Sequence, residues 1–328
     1  MAHNLATIDG RIAMAYQGGT PWHQLGTRMD AGHVDVKTAL TAANLDWAVE
    51  LEKMFLGSGK EVPSRLAVVR PLDGQILSTV SDWYQPIQYT DAFSIFQPAV
   101  EEFGLTVEAA GALGNGEKAW MLFKLPSTIT PVDGDDVAGY GVAITGHDGK
   151  TAFEFRGTPI RVVCQNTLDL AVGKGGNKGR VFSIQHIGAG TKKNVEGAKS
   201  LVVNVLAAMK ETGETFASMA RRAMTPTEVA AFVESVFPDV NGASTKNIDA
   251  NRATVLELMA GGVGADLAKS ATNGLPNAWS CYNAVTEYVD HVAPAQKLTA
   301  TRNRSAIFGT GADLKVLALA QAARMVAA

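Results

Sequence analysis

Tyr140-Gly-Val-Ala-Ile-Thr145-Gly146-His147-Asp148-Gly149-Lys150-Thr151-Ala-Phe153-Glu154-Phe155-Arg156 reads as two β-rich runs around a turn. An Asp-Gly pair suits the reversal, because glycine reaches positive φ without a Cβ clash. The same pattern occurs twice upstream. Arg65–Arg70 and Gln75–Val80 flank Pro71-Leu72-Asp73-Gly74, and Leu105–Leu113 and Glu117–Leu125 flank Gly114-Asn115-Gly116. Three hairpins in succession specify an antiparallel sheet rather than a parallel, doubly wound one.

Downstream of the quoted stretch, Thr158-Pro159 reads as an N-cap followed by proline at the first helical position. Apolar residues at Ile160, Val163, Cys164, Leu168 and Ala171 then predict a helix, with Arg161, Gln165 and Asn166 on its polar face. A loop rich in glycine and lysine follows, Gly173 to Arg180, then a strand over Val181–His186 and a long helix from Asn194 to Arg222. Beyond it the chain reads as helical. Thr225-Pro226-Thr227-Glu228 is a capping box opening a helix to Phe237. Further helices are expected from Thr245 to Ala260, Asn277 to Val292 and Ala312 to Ala327.

Upstream, residues 1–33 read as an irregular arm with a turn cluster at Gly18-Gly19-Thr20-Pro21 beside Trp22. Asp35 is placed to cap a helix from Val36 to Asn44, with a strand from Asp46 to Phe55. Thr90 is expected to cap a helix reaching Phe103, kinked at Pro98 and ended by Gly104. The fold class is therefore α+β: an antiparallel sheet of hairpins packed with helices, then a mostly helical C-terminal half. The expected divisions are an arm (1–33), an α+β core with the basic segment (34–224) and a helical region (225–328).

Charge is distributed unevenly. Residues 1–150 carry 10 Lys/Arg and 18 Asp/Glu, a net of −8, while 151–328 carry 19 and 14, a net of +5. Between Arg156 and Lys199 stand eight cations against two acids, Asp169 and Glu196. A change of sign along the chain suits either an anionic partner or subunits docking acidic face to basic face. The candidate nucleic-acid contacts are Arg156, Arg161, Gln165, Asn166, Lys174, Lys178, Arg180, Lys192 and Lys193, with Arg302 and Arg304 as a second cluster. Cations serve phosphates, and amides serve base edges or sugars.

Several chemistries are set aside. Gly173–Arg180 is no Walker A loop, since no Gly-Lys-Ser/Thr ends it; in Gly262–Ser270, Ala268 replaces the glycine that must precede the lysine. Two readings stay open for Gly173–Arg180: a solvated surface loop, or a segment that orders on a polyanion. Cys164 and Cys281 are far apart in apolar segments, which suits buried reduced thiols. No close ligand spacing joins the histidines. Glu287 and His291 stand four apart with Asp290 beside them, a helical ion pair or, as a weaker alternative, a hydrolytic metal site. No cofactor, no metal and no enzymatic activity are expected. No apolar run reaches the ~20 residues of a membrane helix, and the expected location is the cytoplasm.

Four stretches together resemble the phage/plasmid-like protein family defined by domain of unknown function 932. They are Trp22-His23-Gln24-Leu25-Gly26, Arg161-Val-Val-Cys164-Gln165-Asn166-Thr-Leu168, Tyr282-Asn283-Ala-Val-Thr-Glu287-Tyr-Val-Asp290-His291, and Ser305-Ala-Ile-Phe308-Gly309 with Lys315. The resemblance implies a mobile-element protein in a bacterial host cell, without a settled activity. Hairpin order and the basic block also suit an analogy with Rad52-like single-strand annealing proteins, which join an antiparallel sheet to helices and assemble as rings or filaments. The expected function is single-stranded DNA binding that promotes annealing and recombination as a homo-oligomer. The alternative is a phage structural or protein-interaction protein without DNA chemistry.

Overall fold

The computed structural model describes residues 4–21, 24–158, 181–183, 191–239, 246–293 and 310–327. Strands β1 (Thr7–Ile8), β2 (Arg11–Ile12), β3 (Met14–Tyr16) and β4 (Thr27–Arg28) come first. Residues expected as an irregular arm thus enter sheets: β1 pairs with β2, and β3 lies between β4 and a later strand. Strands two or three residues long carry no readable period, and the antiparallel partner of β3 is distant in sequence, whereas β1 and β2 pair with each other across Asp9-Gly10. What fixes them is burial, with Leu5, Ile8, Met14 and Ala15 all inside.

Helix α1 (Val36–Ala42) begins where expected, the Asp35 carboxylate accepting from the Thr38 N–H at 2.6 Å. Strands β5 (Glu50–Phe55), β6 (Glu61–Arg70) and β7 (Gln75–Ser81) form a three-stranded antiparallel sheet. The next helix is broken in two, α2 (Tyr89–Ser94) and α3 (Gln97–Phe103). Gln88, not Thr90, holds the N-cap position, without a side-chain bond. The break falls just before Pro98, and Gly104 ends α3 at φ 65° as expected.

Strands β8 (Thr106–Leu113), β9 (Lys118–Ile129), β10 (Val137–Gly146), β11 (Glu154–Thr158) and β12 (Val181–Ser183) complete a seven-stranded sheet of order β12-β11-β10-β9-β8-β3-β4. All three expected hairpins are present, and Gly74, Gly114, Gly116 and Gly149 at their turns have positive φ. β3 and β4 pair in parallel, which makes the sheet mixed. Both faces of its middle are buried, so β8 and β10 read as continuous apolar runs rather than alternating ones. Met14, Tyr16, Trp120, Leu122, Tyr140, Val142 and Ile144 belong to one buried cluster. Phe155 belongs to another, its ring 4.8 Å from Phe96, which lies 5.2 Å from Phe123.

Gly141 sits against that ring: a Cβ there meets Phe155 Cζ at 2.4 Å. Phe155 is fully buried and has nowhere to retreat. Gly141→Val is expected to cost about 1–3 kcal/mol through overpacking, read as a lower midpoint of urea unfolding with an unchanged slope. An unchanged midpoint means that the ring moves aside freely.

The helices that follow are α4 (Thr191–Arg221), α5 (Pro226–Val236), α6 (Lys246–Gly261), α7 (Val263–Lys269), α8 (Ala278–Glu287) and α9 (Thr310–Ala327), with a π turn at Tyr288–Val292. The capping box at α5 is made as read: Thr225 Oγ1 accepts from the Glu228 N–H, and Glu228 Oε2 accepts from the Thr225 N–H at 2.8 Å. Hydrogen bonding from Arg222, with Thr225 adding to it, pulls the Glu228 carboxyl down to about 2. The architecture is α+β, with sheets in the N-terminal half and mostly helices in the C-terminal half. Among the described residues the chain divides into two compact units, 4–127, 138–158, 181–183 and 191–207 in one, 128–137, 208–239, 246–293 and 310–327 in the other. No described helix is long and apolar enough to cross a membrane. Thr158, expected as a helix N-cap, closes β11 instead, and the rest of the expected helix, 159–171, lies outside the described residues.

Candidate functional site

The edge of the seven-stranded sheet is built by β11 and β12, paired antiparallel with Glu154 opposite Ser183 and Arg156 opposite Val181. The chain therefore leaves β11 and re-enters β12 at adjacent positions, and both ends of segment 159–180 are anchored at one end of this edge. That segment holds Arg161, Gln165, Asn166, Lys174, Lys178 and Arg180, all outside the described residues, as are Arg302 and Arg304. Lys192 and Lys193 fall in the first turn of α4, at the positive end of a 31-residue helix dipole.

Arg156 lies on β11 and is largely buried, its side chain 16% exposed and its Nη2 2.5 Å from Glu154 Oε2. Its charge is already matched, so a phosphate there competes with Glu154. Lys199 of α4 pairs with Glu102 of α3.

A second arrangement surrounds the turns of the hairpins. A shallow cleft of about 420 Å³ is lined by Ser78, Glu117, Lys118, Asp148 and Lys150, among others. Its charges are mixed, and its carboxylates are occupied. Glu117 Oε2 accepts from the Asn115 N–H at 2.6 Å. Burial pushes the Asp148 carboxyl up, but bonds from the Thr151 hydroxyl and N–H and the Lys150 N–H outweigh it and hold the group below its usual value.

Beneath these turns Arg70, Trp47, Tyr89 and His147 form a buried cluster. Arg70 is 1% exposed and reaches Asp73 through Nε to Oδ1 at 2.9 Å and Nη2 to Oδ2 at 2.7 Å. Its Nη1 donates to the Asn115 carbonyl at 2.8 Å, and its guanidinium lies 4.8 Å from the centre of the Trp47 ring. A Cβ at Gly116 would meet Arg70 Nη1 at 2.5 Å, so this turn needs glycine for room as well as for its φ of 102°. The Tyr89 hydroxyl donates to the Gly116 carbonyl at 2.8 Å, and the Tyr89 ring stacks on His147 at 4.2 Å. His147 is wholly buried with neither ring nitrogen hydrogen-bonded. Burial lowers its pKa to about 4, against a weaker upward pull from Asp148. The cluster locks hairpin β6–β7 to the β8–β9 turn. It offers no nucleophile and no open base.

Sequence reading placed Arg70 and His147 in hairpins and missed that both are buried; an arginine at the inner end of an apolar run, Leu66-Ala-Val-Val-Arg70, was the available signal. The Glu287, Asp290 and His291 positions take structural contacts. Glu287 Oε2 accepts from the Gly264 N–H at 3.4 Å, and Asp290 Oδ1 pairs with Lys315 Nζ at 2.8 Å. The π turn that starts at Tyr288 departs from the regular helix on which the four-residue spacing was read. Among the described residues no group of three His, Cys, Asp or Glu could hold a metal ion. Lys269 Nζ donates to the Met259 and Ala260 carbonyls at 2.9 and 3.0 Å, capping α6 rather than facing a phosphate. Cys281 is buried and free, and burial raises its thiol to about 12.

No curated protein and no solved structure matches the chain. The family described as Domain of unknown function (DUF932) matches residues 76–307, from β7 through α8 and beyond, which takes in the β11–β12 edge, the basic segment and the start of α4. With well over half of its length matched in this way, the chain belongs to the DUF932 family.

Proposed function

We propose that the protein binds single-stranded DNA and promotes annealing or recombination as a homo-oligomer, in the cytoplasm of a bacterial host carrying a phage or plasmid. The observation that carries this reading is that the most cation-rich stretch of the sequence surrounds a segment whose two ends are paired at the β11–β12 edge. The eight Lys/Arg from Arg156 to Lys199 lie on β11, in a segment tethered at both ends to the β11–β12 edge, or in the opening turns of α4. A flexible backbone that repels itself along its length is matched by a cationic segment held at two fixed points. Support from the strand-then-long-helix order is an analogy of fold and weighs less.

Phosphate contacts release counterions, so affinity for a labelled oligonucleotide is expected to fall by roughly 0.7 log unit per log unit of salt for each phosphate contacted. Fluorescence anisotropy with single- and double-stranded oligonucleotides at two salt concentrations reads this directly. Affinity that does not change with salt removes the reading.

A second reading, a phage structural or interaction protein, is favoured by apolar surface on the helical unit, where Val263 is 83% and Leu275 59% exposed. A defined oligomer by light scattering, with no affinity for DNA, selects it.

A further inference from the structure

His147 is the buried titratable group that the reading above leaves unused. Its ring stacks on Tyr89 at 4.2 Å, with Trp47 at 6.0 Å, and neither ring nitrogen has a hydrogen bond. Its backbone, by contrast, is tied twice. The His147 N–H donates to the Glu117 carbonyl at 2.7 Å, and the His147 carbonyl accepts from the Ser78 hydroxyl at 2.5 Å. One residue thus joins the β10–β11 turn both to the β8–β9 turn and to β7. Gly149 of the same turn lies against β7, where a Cβ would stand 3.0 Å from Val80 Cγ1.

A buried imidazole is stable only while neutral, because a charge out of water needs a partner. The groups around the ring supply none. From β6, Arg70 is itself a cation, matched by Asp73 and lying 4.8 Å from the centre of the Trp47 ring. From α2, the Tyr89 hydroxyl is spent on the Gly116 carbonyl, and burial pushes its pKa well up. Burial also raises Tyr84, just ahead of α2. Of the carboxylates at the turns, Glu117 accepts from the Asn115 N–H, and Asp148 accepts from Lys150 and Thr151, with Lys118 adding a positive charge near Asp148. Burial accordingly holds the ring near pKa 4, the weaker pull of Asp148 notwithstanding, against 6.5 in water. Between those values a ring that reaches water takes up a proton, and a ring that stays inside does not.

We propose that His147 is a proton-operated latch: charging expels its ring from the Trp47–Tyr89 cluster and frees the Gly146–Thr151 turn from β7 and from the β8–β9 turn, while the seven-stranded sheet stays folded. The opening is local because the β10–β11 ladder ends at Ile144 opposite Glu154, so the turn lies beyond the last pair and is held by the contacts above. Asp148 and Lys150 of this turn line the shallow cleft, so acid reshapes the cleft. The latch is independent of the DNA-binding reading and stands or falls separately from it.

Hydrogen exchange followed by mass spectrometry tests it on the full chain, with His147→Phe and His147→Gln compared with the parent at each pH from 7 to 4, so that chemical exchange rates cancel. Glutamine does not titrate in this range and keeps a polar side chain should phenylalanine overfill the site. Below pH 6.5 the turn amides of the parent, that of residue 147 above all, are expected to lose protection by about tenfold per pH unit relative to either variant, since one proton is linked to opening. Amides of the β8–β9 pair are expected to hold. Protection of the turn that falls equally in parent and variants removes His147 as the trigger. Protection that falls in step over turn and sheet replaces the latch with global unfolding. A parent turn that stays protected down to pH 4 overturns the latch as well.

Discussion

Replacing Arg70 with methionine is expected to lower the stability of the sheet-bearing unit by about 3 kcal/mol, toward the lower end for breaking a buried ion pair. The lower end applies because Asp73 is a third exposed and regains water once its partner leaves. The remaining loss has two sources. Asn115 keeps a carbonyl that has lost its donor, and Trp47 loses the cation over its ring. Arg70→Lys is expected to fall between parent and methionine variant, since an ammonium cannot bridge both Asp73 oxygens and the Asn115 carbonyl with one fork. Urea unfolding followed by circular dichroism measures the difference. A shift of the midpoint worth less than about 1 kcal/mol for Arg70→Met would show that the cluster is packing alone, without an electrostatic part.

His147 gives the second large effect, and its sign follows from its surroundings. The folded chain holds the ring near pKa 4, below the ordinary value of 6.5, because burial disfavours the charged form. Between those values the unfolded chain binds the proton that the folded chain refuses. Stability from this group is therefore complete above about pH 6.5 and is lost as pH falls toward 4. A shift of this size corresponds to about 3 kcal/mol. Neither ring nitrogen has a hydrogen bond to lose, so His147→Phe is expected to fold and to flatten the decline between pH 6.5 and 4. Asp73, Asp148 and Glu228, all held below their ordinary values, lose their contribution as pH drops below about 4 in parent and variant alike. Parallel curves for the two proteins from pH 7 to 4 would mean that the ring reaches water or a partner before it charges.

Local chemistry explains which elements were readable from sequence. The turns at Gly74, Gly114 to Gly116 and Gly149 were legible because each demands positive φ between two apolar runs. The capping box at Thr225 and the Asp35 cap were legible for a similar reason, since an orphan N–H group needs a short oxygen-bearing side chain at one position. The helix start at Tyr89 was not, because Gln88 makes no such bond and the better capping residue, Thr90, sits inside the first turn. Strand β3 was hidden because its antiparallel partner β8 comes from far along the chain, whereas β1 and β2 meet across Asp9-Gly10 and were missed because two residues a side show no alternation. For the site, charge was legible and exposure was not. Phe55 ends a strand that reads as ordinary β-sequence, and its exposure of 59% is seen only in the structure.

The place of Met14–Tyr16 in the sheet has a kinetic meaning. β3 pairs with β8 through Ala15 and Ala110, and Gln17 bonds to Thr106 and Val107 across 89 and 90 residues. Strand β3 is thus without its antiparallel neighbour until β8 has emerged from the ribosome. Forming that pair closes a long loop before the contact repays the entropy, which places this sheet among slowly folding topologies. Apolar residues that end wholly buried, Met14 and Ala15 among them, spend that interval in water. The vulnerable period of this chain runs from the synthesis of β3 to that of β8, and the basic segment is made only after it.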